Sequence, residues 1–277
     1  MKKKTSYNQT KEISLQERKR IMLDMLKHID DICRENNIKY SLVGGSLIGA
    51  IRHRGYIPWD DDIDIILTEK NFKKLVDILD KDTGRYQIYK YGKEYKKMGF
   101  RKLIDTKTHL LEGEFAFDPN YGVYVDIFSY CNLSNNDRKR KWQFDKIKLL
   151  LKFVTFYRKK IDFKEDGLLK SIDFSFKKAV SRAIGCKRFG KAYENIRKSS
   201  DTKSDYVTCF FPVYSYDKEV QLKKNTEDYT DAKFEDLTVM IFKNYDEILR
   251  TTYGDYMKLP PKSERIPKHN AKAWWRD

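Results

Sequence analysis

The chain has 277 residues, with 57 Lys+Arg against 41 Asp+Glu for a formal net charge of +16, and its 19 Tyr, 16 Phe and 4 Trp supply enough bulk for a buried core that the 35% charged content does not signal disorder. The positive excess points to an anionic partner: phosphate, nucleic acid, acidic glycan or an anionic lipid surface. The longest stretch without a charge, Tyr40 to Ile51, has 12 residues, too few for a spanning helix of about 20; the basic start MKKKTSYNQTK has no apolar run behind it, which argues against a secretory signal; and Cys33, Cys131, Cys186 and Cys209 lie far apart, which argues for buried reduced thiols in a cytoplasmic protein and against a zinc site or disulfide framework.

In chain order, Ser14-Leu15-Gln16-Glu17 fits a capping box, and Leu15, Met22, Leu26, Ile29 and Cys33 continue as a helical stripe to about Asn36. Ile38 to Val43 reads as a short buried strand running into Gly44-Gly45-Ser46, and Leu47 to Arg54 as a short helix stopped by Gly55. Asp62 to Leu67 alternates acidic and apolar residues as a strand does, and Lys70 to Leu79 is an amphipathic helix capped by Thr68. RYQIYKY, GFRKLI, THLLE and VYVDIF, between Arg85 and Phe128, read as strands; Lys139 to about Lys160, Leu168 to Ile184 and Phe189 to Lys198 suit helices. Tyr206 to Phe211 and Phe234 to Phe242 read as strands, Asn244 to Tyr253 as a last helix ended by Gly254, and the tail after Lys262 as irregular. The expected class is α+β: an α/β core with a mixed sheet and a helical insertion, divided as a catalytic core over 1–134, a basic helical block over 135–200 and a C-terminal part over 201–277 that completes the core and the active site.

The sharpest feature is Gly44-Gly45-Ser46 followed by Asp60-Asp61-Asp62-Ile63-Asp64-Ile65. On a strand, residues i and i+2 share a face, so Asp62 and Asp64 stand side by side. Two adjacent carboxylates repel unless a cation sits between them, and Mg²⁺ prefers oxygen ligands and substrate phosphates. Asp126, in Val125-Asp126-Ile127, becomes a third member if its strand neighbours the first. Gly44 and Gly45 permit close backbone approach to a ligand, the helix N-terminus behind them offers free N–H groups to a phosphate, Ser46 adds a hydroxyl and Arg52 a charge. A charge on a buried strand is expensive, so the joint pattern is a poor choice for packing alone.

These residues resemble the LicD/fukutin-related family of the nucleotidyltransferase superfamily. The matching segment is LVGGSLIGAIRHRGYIPWDDDIDI, Leu42 to Ile65; FRKLIDTKT (Phe100 to Thr108), GVYVDIF (Gly122 to Phe128) and YDEILRTTYGDYMKLPP (Tyr245 to Pro261) follow in the right order. The resemblance covers the two ends of the chain and little of its helical middle. It implies a nucleotidyltransferase-like core and transfer of a phospho-alcohol group, commonly phosphocholine, from a CDP-linked donor to a hydroxyl of a glycan or lipid-linked glycan, with release of CMP. It implies that Asp62, Asp64 and Asp126 are the catalytic acids and the ligands of Mg²⁺ (or Mn²⁺), and that Gly45 and Ser46, with Gly44, hold the donor phosphates. In that mechanism Asp60 orients a metal-bound water or a basic residue, while Asp61, expected on the opposite face, is structural. Arg101 and Lys102 are in reach of phosphate. Tyr56, Trp59, Tyr253 and Tyr256 are available to box a quaternary ammonium, and His53 and His269 to contact substrate. After the third acid the chain departs from the family's Phe-Pro-Leu-Asp and reads Phe128-Ser129-Tyr130-Cys131, which leaves phosphoglycerol and phosphoribitol open as the transferred group.

From Asp137 to Ser200 there are 20 Lys/Arg against 7 Asp/Glu, most of the chain's positive excess, opened by Arg138-Lys139-Arg140-Lys141. One reading is an amphipathic surface, with Trp142, Ile147, Leu150, Leu151, Val154 and Tyr157 as its stripe, that meets anionic lipid at the inner face of the membrane. The other packs that stripe on the core. A nucleotidyltransferase that moves NMP and releases pyrophosphate, and a non-catalytic RNA- or glycan-binding module, are the competing functions; no nucleic-acid motif is present, and no nucleic acid is expected as partner.

Overall fold

The computed structural model describes residues 12–90, 99–112, 118–158, 167–198, 203–267 and 271–276. The N-terminal half alternates strand and helix: β1 (Glu12–Ile13), α1 (Leu15–Glu35), β2 (Ser41–Leu42), α2 (Gly44–Arg52), β3 (Asp64–Leu67), α3 (Glu69–Leu79), β4 (Tyr86–Ile88), β5 (Phe100–Asp105), β6 (Thr108–Leu111) and β7 (Tyr124–Leu133). Three helices follow, α4 (Asp137–Arg158), α5 (Leu168–Ile184) and α6 (Cys186–Lys198). The C-terminal part holds β8 (Tyr206–Cys209), α7 (Tyr216–Glu219), β9 (Gln221–Leu222), β10 (Tyr229–Phe234), β11 (Leu237–Phe242), α8 (Tyr245–Tyr253) and β12 (Lys272–Trp275). The architecture is a mixed α/β arrangement, as the α+β expectation has it.

The main sheet runs β2-β3-β7-β5-β4, with β8 and β9 added beyond β7. Only β3 and β7 pair in parallel; the other pairs are antiparallel. β7 is long enough to serve two neighbourhoods: its first half lies between β3 and β5, and its second half, Tyr130–Leu133, pairs with β8. Ile65, Ile127 and Leu103, on one face of the sheet, are fully buried in the main core with Met25, Leu26 and Ile29 of α1 and Leu75 of α3. Both helices start where the sequence places them: the Ser14 hydroxyl accepts the Glu17 N–H at 3.2 Å and the Thr68 hydroxyl accepts that of Asn71 at 3.5 Å.

Several elements differ from the sequence expectation. The strand read over 38–43 shortens to Ser41–Leu42, because β2 is an edge strand paired only with β3. α2 begins at Gly44, so the glycine pair belongs to the helix's first turn and not to a loop before it. β3 begins at Asp64, leaving Asp62 in the irregular segment before it. The strand read over 234–242 is two strands, β10 and β11, joined through Glu235 at φ 55; β10 was hidden because half of its side chains, Thr230, Asp231 and Lys233, are exposed and polar. The tail is not irregular: β12 inserts between β1 and β6 and buries Ala273 completely.

The helical block packs through Ile147, Leu150 and Leu151 against Cys131, Leu133, Phe189, Tyr193 and Phe210. That is the inward-packing reading of the stripe; Trp142, 53% exposed, stays outside it, and the side chains of Val154 and Tyr157 lie outside the described residues. Arg140 is buried. Its guanidinium donates to Tyr216 Oη at 2.7 Å and to the carbonyls of Ser134 and Asn135 at 3.0 and 2.9 Å, and lies 3.8 Å from the centre of the Tyr206 ring. It fastens the block to the sheet, whereas Arg138, Lys139 and Lys141 are exposed. Cys33, Cys131 and Cys209 are free thiols. No described helix is long and apolar enough to cross a membrane.

Arg140→Met leaves two carbonyls and a tyrosine oxygen without their donor, and should lower stability by about 2–3 kcal/mol in urea unfolding. Arg138→Met, on the exposed side of the same turn, should change it by less than about 0.5 kcal/mol.

Candidate active site

The parallel pair sets Asp64 of β3 opposite Asp126 of β7, and the antiparallel pair sets Asp126 opposite Lys102 of β5. Paired residues share a face of the sheet, so Asp64, Asp126 and Lys102 form a row across three strands. Lys102 Nζ lies 2.7 and 3.0 Å from the two oxygens of Asp126, with the side chains 13% and 15% exposed, and 3.4 Å from the centre of the Tyr124 ring. Lys102 is thus committed to the third acid in this structure. Arg101, one residue earlier, points to the other face and donates to its neighbour's carbonyl, Phe100 O, at 2.7 Å.

Asp60, Asp61 and Asp62 lie ahead of the strand: Asp60 closes a turn with its N–H to Ile57 O at 2.9 Å, and Asp61 and Asp62 follow in irregular chain. Their carboxylates each bring an oxygen within 4.8 Å of the others, and among the described residues this is the group of three ligating side chains that gathers so closely. Asp62, Asp64 and Asp126 do not reach that closeness, with Asp126 drawn to Lys102. Asp61 nevertheless stands apart as expected: Asp60 and Asp62 line the same cavity as Asp64, whereas Asp61 is buried and lines a separate pocket with Arg18, Met22 and Tyr124. Burial drives the Asp64 carboxyl well above the usual range, Asp62 and Asp126 push it further, and Lys102 pulls it back. Burial also lifts Asp126 to about 6 against the pull of Lys102.

The glycine step faces these acids. Val43 caps α2 without a side-chain hydrogen bond, which leaves the first-turn N–H groups to the cavity. Gly44 has φ +62, and a Cβ there would sit 3.7 Å from both Asp64 Oδ2 and Tyr253 Oη. At Gly45 a Cβ would overlap the Asp60 carboxylate, so only glycine lets the helix and the acidic turn touch. Ser46 is buried and its hydroxyl accepts the Asp64 N–H at 3.0 Å, which fixes the start of β3 to α2.

The remaining sequence candidates divide. Tyr253 lines the cavity beside Asp60, Asp62 and Asp64. Arg52 instead donates to the Tyr256 carbonyl at 2.5 Å and that of Lys258 at 3.3 Å, tying α2 to the segment after α8. Trp59 lies under Arg265, 5.6 Å from guanidinium to ring, and 6.4 Å from the ring of His53. Tyr56 donates to Lys19 O and Tyr256 to Asp246. None of Arg52, His53, Tyr56, Trp59 or Tyr256 lines the cavity. His269 lies outside the described residues.

The cavity itself, about 240 Å³, extends from Gly44, Gly45 and the acids to an aromatic end formed by Phe128, Phe211, Tyr214 and Tyr253. Phe128 and Tyr130 follow Asp126 at two-residue steps and so share its face; that period was available in the sequence, at the very place where the chain departs from the family pattern. Phe211, Tyr214 and Glu219 carry no local signal. They arrive because β8 pairs with the far half of β7 and α7 packs on α8.

Ionised, Asp64 opposes folding, since its carboxyl is harder to ionise in the native chain than in the unfolded one. The penalty is absent below the ordinary value of 3.8, grows as pH rises and is complete above the native-state pKa. Asp64→Asn should therefore raise the Tm of the metal-free protein at pH 7.5 by at least about 2 °C, with the gain vanishing toward pH 4 in scanning calorimetry. Ser46→Ala, which strips the acceptor from a buried N–H, should lower stability by about 1–3 kcal/mol.

Comparison with known proteins places this geometry in a family. The chain is 27% identical over 275 residues, covering 95% of its own length and 99% of the other's, to the lipopolysaccharide cholinephosphotransferase LicD of Haemophilus influenzae. It is 32% identical over 111 residues to an uncharacterised protein of Rickettsia typhi, covering 40% of this chain and 31% of that one. Residues 37–183, which hold the glycine step, the acidic turn and both acid-bearing strands, match the family described as LicD/FKTN/FKRP, nucleotidyltransferase domain. The chain belongs to the LicD/FKTN/FKRP family.

Proposed function

We propose that this protein transfers phosphocholine from CDP-choline to a hydroxyl of a cell-surface glycan precursor and releases CMP. The observation that carries the reading is the pairing of Asp64 with Asp126 across parallel strands, with Asp60, Asp62 and Asp64 lining one cavity beside an uncapped helix start. Family membership and the similarity to a lipopolysaccharide cholinephosphotransferase along nearly the whole chain support it.

The donor set fits Mg²⁺: it is all carboxylate oxygen, and Asp64 is buried among like charges that Lys102 only partly offsets. Asp62 and Asp64 would hold the ion, with Asp126 as third ligand; Mn²⁺ fits the same set. When bound, the ion neutralises charge on the donor's diphosphate and on the leaving CMP. The N–H groups of the first turn of α2, at Gly44, Gly45 and Ser46, hold phosphate oxygens. Asp60, fixed against Gly45, keeps that turn in register with the acids. The acceptor oxygen forms a bond to the distal phosphorus, the bond from that phosphorus to the CMP oxygen breaks, and the hydroxyl proton passes to Asp126. Positioning and charge stabilisation supply most of the rate.

Contact with an anionic membrane belongs to the same reading, because the acceptor is lipid-linked. Trp142, Leu149, Ile172 and Phe176 are exposed among the lysines and arginines of α4 and α5, at 53%, 53%, 55% and 69%. Apolar side chains ringed by basic ones suit the headgroup region.

CMP release from CDP-choline, followed by chromatography with candidate glycan acceptors, tests the transfer; release of pyrophosphate from a nucleoside triphosphate would favour NMP transfer instead. Activity should disappear in EDTA and return with Mg²⁺ or Mn²⁺. Asp62→Asn and Asp64→Asn should each lose at least about a hundredfold in kcat while staying folded. Sedimentation with anionic vesicles should fall when Trp142 and Phe176 are both changed to Ser, and an unchanged bound fraction would remove the membrane from the reading.

A further inference from the structure

Beyond the acids and the glycine step, the cavity has a second end that the transfer chemistry does not use. Two rings come from the sheet, Phe128 on β7 and Phe211 just after β8, with centroids 6.3 Å apart. Two come from the opposite wall, Tyr214 and Tyr253, packed edge to face at 5.5 Å. Glu219, at the end of α7, lines the same end. One of its oxygens, Oε1, accepts the N–H groups of Val213 and Tyr214 at 2.6 and 2.7 Å. No lysine or arginine among the described residues lies within ion-pair distance of it. Lys148, held on the Tyr214 carbonyl at 2.6 Å, offsets this charge from beyond ion-pair distance, so a half-buried carboxylate anchored by two backbone bonds and walled by rings still favours a cation beside it.

The other polar liners are spoken for. Gln221 Nε2 donates to Lys218 O and Thr252 Oγ1, both at 3.4 Å, and the Thr252 hydroxyl donates to backbone carbonyls at 3.0 Å. That surface offers few free hydrogen-bonding groups to a polyol. Beside the ammonium of Lys218 at its edge it offers ring faces and the Glu219 carboxylate, and ring faces with an anion are what a quaternary ammonium needs. Lys218 Nζ, 5.9 Å from the centre of the Tyr214 ring, shows that this ring is already within reach of a cation.

We propose that Phe128, Phe211, Tyr214 and Tyr253, with the Glu219 carboxylate, form the site that holds the trimethylammonium head of the donor, and that this site selects choline over glycerol or ribitol as the transferred alcohol. The inference rests on the transferase reading above. It gives the cavity a direction: diphosphate at Gly44, Gly45 and the acids, head group between the rings, and the transferred phosphorus between the two. Tyr253 joins the two ends, since its ring belongs to the cage while its hydroxyl faces Gly44. Glu219 contacts the substrate in this arrangement and takes no part in bond making.

Steady-state CMP release, with CMP as competitive inhibitor, tests it. Glu219→Gln keeps an oxygen for the Val213 and Tyr214 N–H groups and removes the charge; it should raise KM for CDP-choline about tenfold, leave kcat within about threefold and leave the inhibition constant of CMP unchanged. Tyr214→Phe should keep the wild-type KM, whereas Tyr214→Leu should raise it about fivefold or more. Wild-type protein should prefer CDP-choline to CDP-glycerol and CDP-ribitol by at least about tenfold in kcat/KM, and Glu219→Gln should erode that preference. A KM for Glu219→Gln within twofold of wild type would overturn the proposal, as would a matching rise in the CMP constant, which would make this the nucleobase site, or equal use of the polyol donors. If wild-type protein releases CMP from no CDP-alcohol, the transferase reading fails. Calorimetric titration with phosphocholine then decides the cage by itself: binding lost in Glu219→Gln sustains it, and no binding to wild type removes it.

Discussion

Asp64 and Asp126 face each other across a parallel strand pair, and this single register organises the molecule. Parallel neighbours need a crossover, and the chain between β3 and β7 supplies one through α3, β4, β5 and β6. The crossover delivers β5 to the far side of β7, and with it Lys102. The result is a row of acid, acid and lysine, with one positive charge set against a cluster of negative ones. Burial keeps the excess charge from being solvated away, so the clustered acids are a standing penalty on the native state.

Glycine makes the approach to this row possible. Gly45 touches Asp60 where any side chain would collide, and Gly44 leaves the space between Asp64 and Tyr253 open. Gly55 plays a similar part at the other end of α2: the Glu235 carboxylate packs where its Cβ would be and accepts the Tyr56 N–H at 2.9 Å. The β10–β11 hairpin thereby clamps the segment that leads into the acidic turn. Arg52 and Ser46 belong to the same scaffold, one binding carbonyls after α8 and the other the start of β3. Residues that look like substrate ligands in the sequence hold the acid-bearing strand and the helix beside it in place.

The helices between β7 and β8 have a divided character. Ile147, Leu150 and Leu151 close a second core with Phe189 and Tyr193, while Trp142, Leu149, Ile172 and Phe176 remain in solvent among basic side chains. Within the run Arg138-Lys139-Arg140-Lys141, composition treats four residues alike, yet only Arg140 turns inward to bind carbonyls and a ring. Its position three residues into α4 decides this, because that turn packs on β8 and α7.

Local pattern by itself determined the helices α1 and α3 with their caps, the glycine step, the acidic run and the apolar strands around Asp64 and Asp126. In each of these, short-range propensity and burial demand the same thing, so the residues speak for the structure. Tertiary structure alone decided which strand neighbours which, that Lys102 is held by Asp126, that one oxygen of each of Asp60, Asp61 and Asp62 gathers closely ahead of β3, and that the last residues form β12. It also decided the aromatic end of the cavity, whose rings come from β7, the segment between β8 and α7, and α8. Pairing and cavity walls join residues far apart in the chain, and no local spacing encodes a contact whose two halves are specified separately.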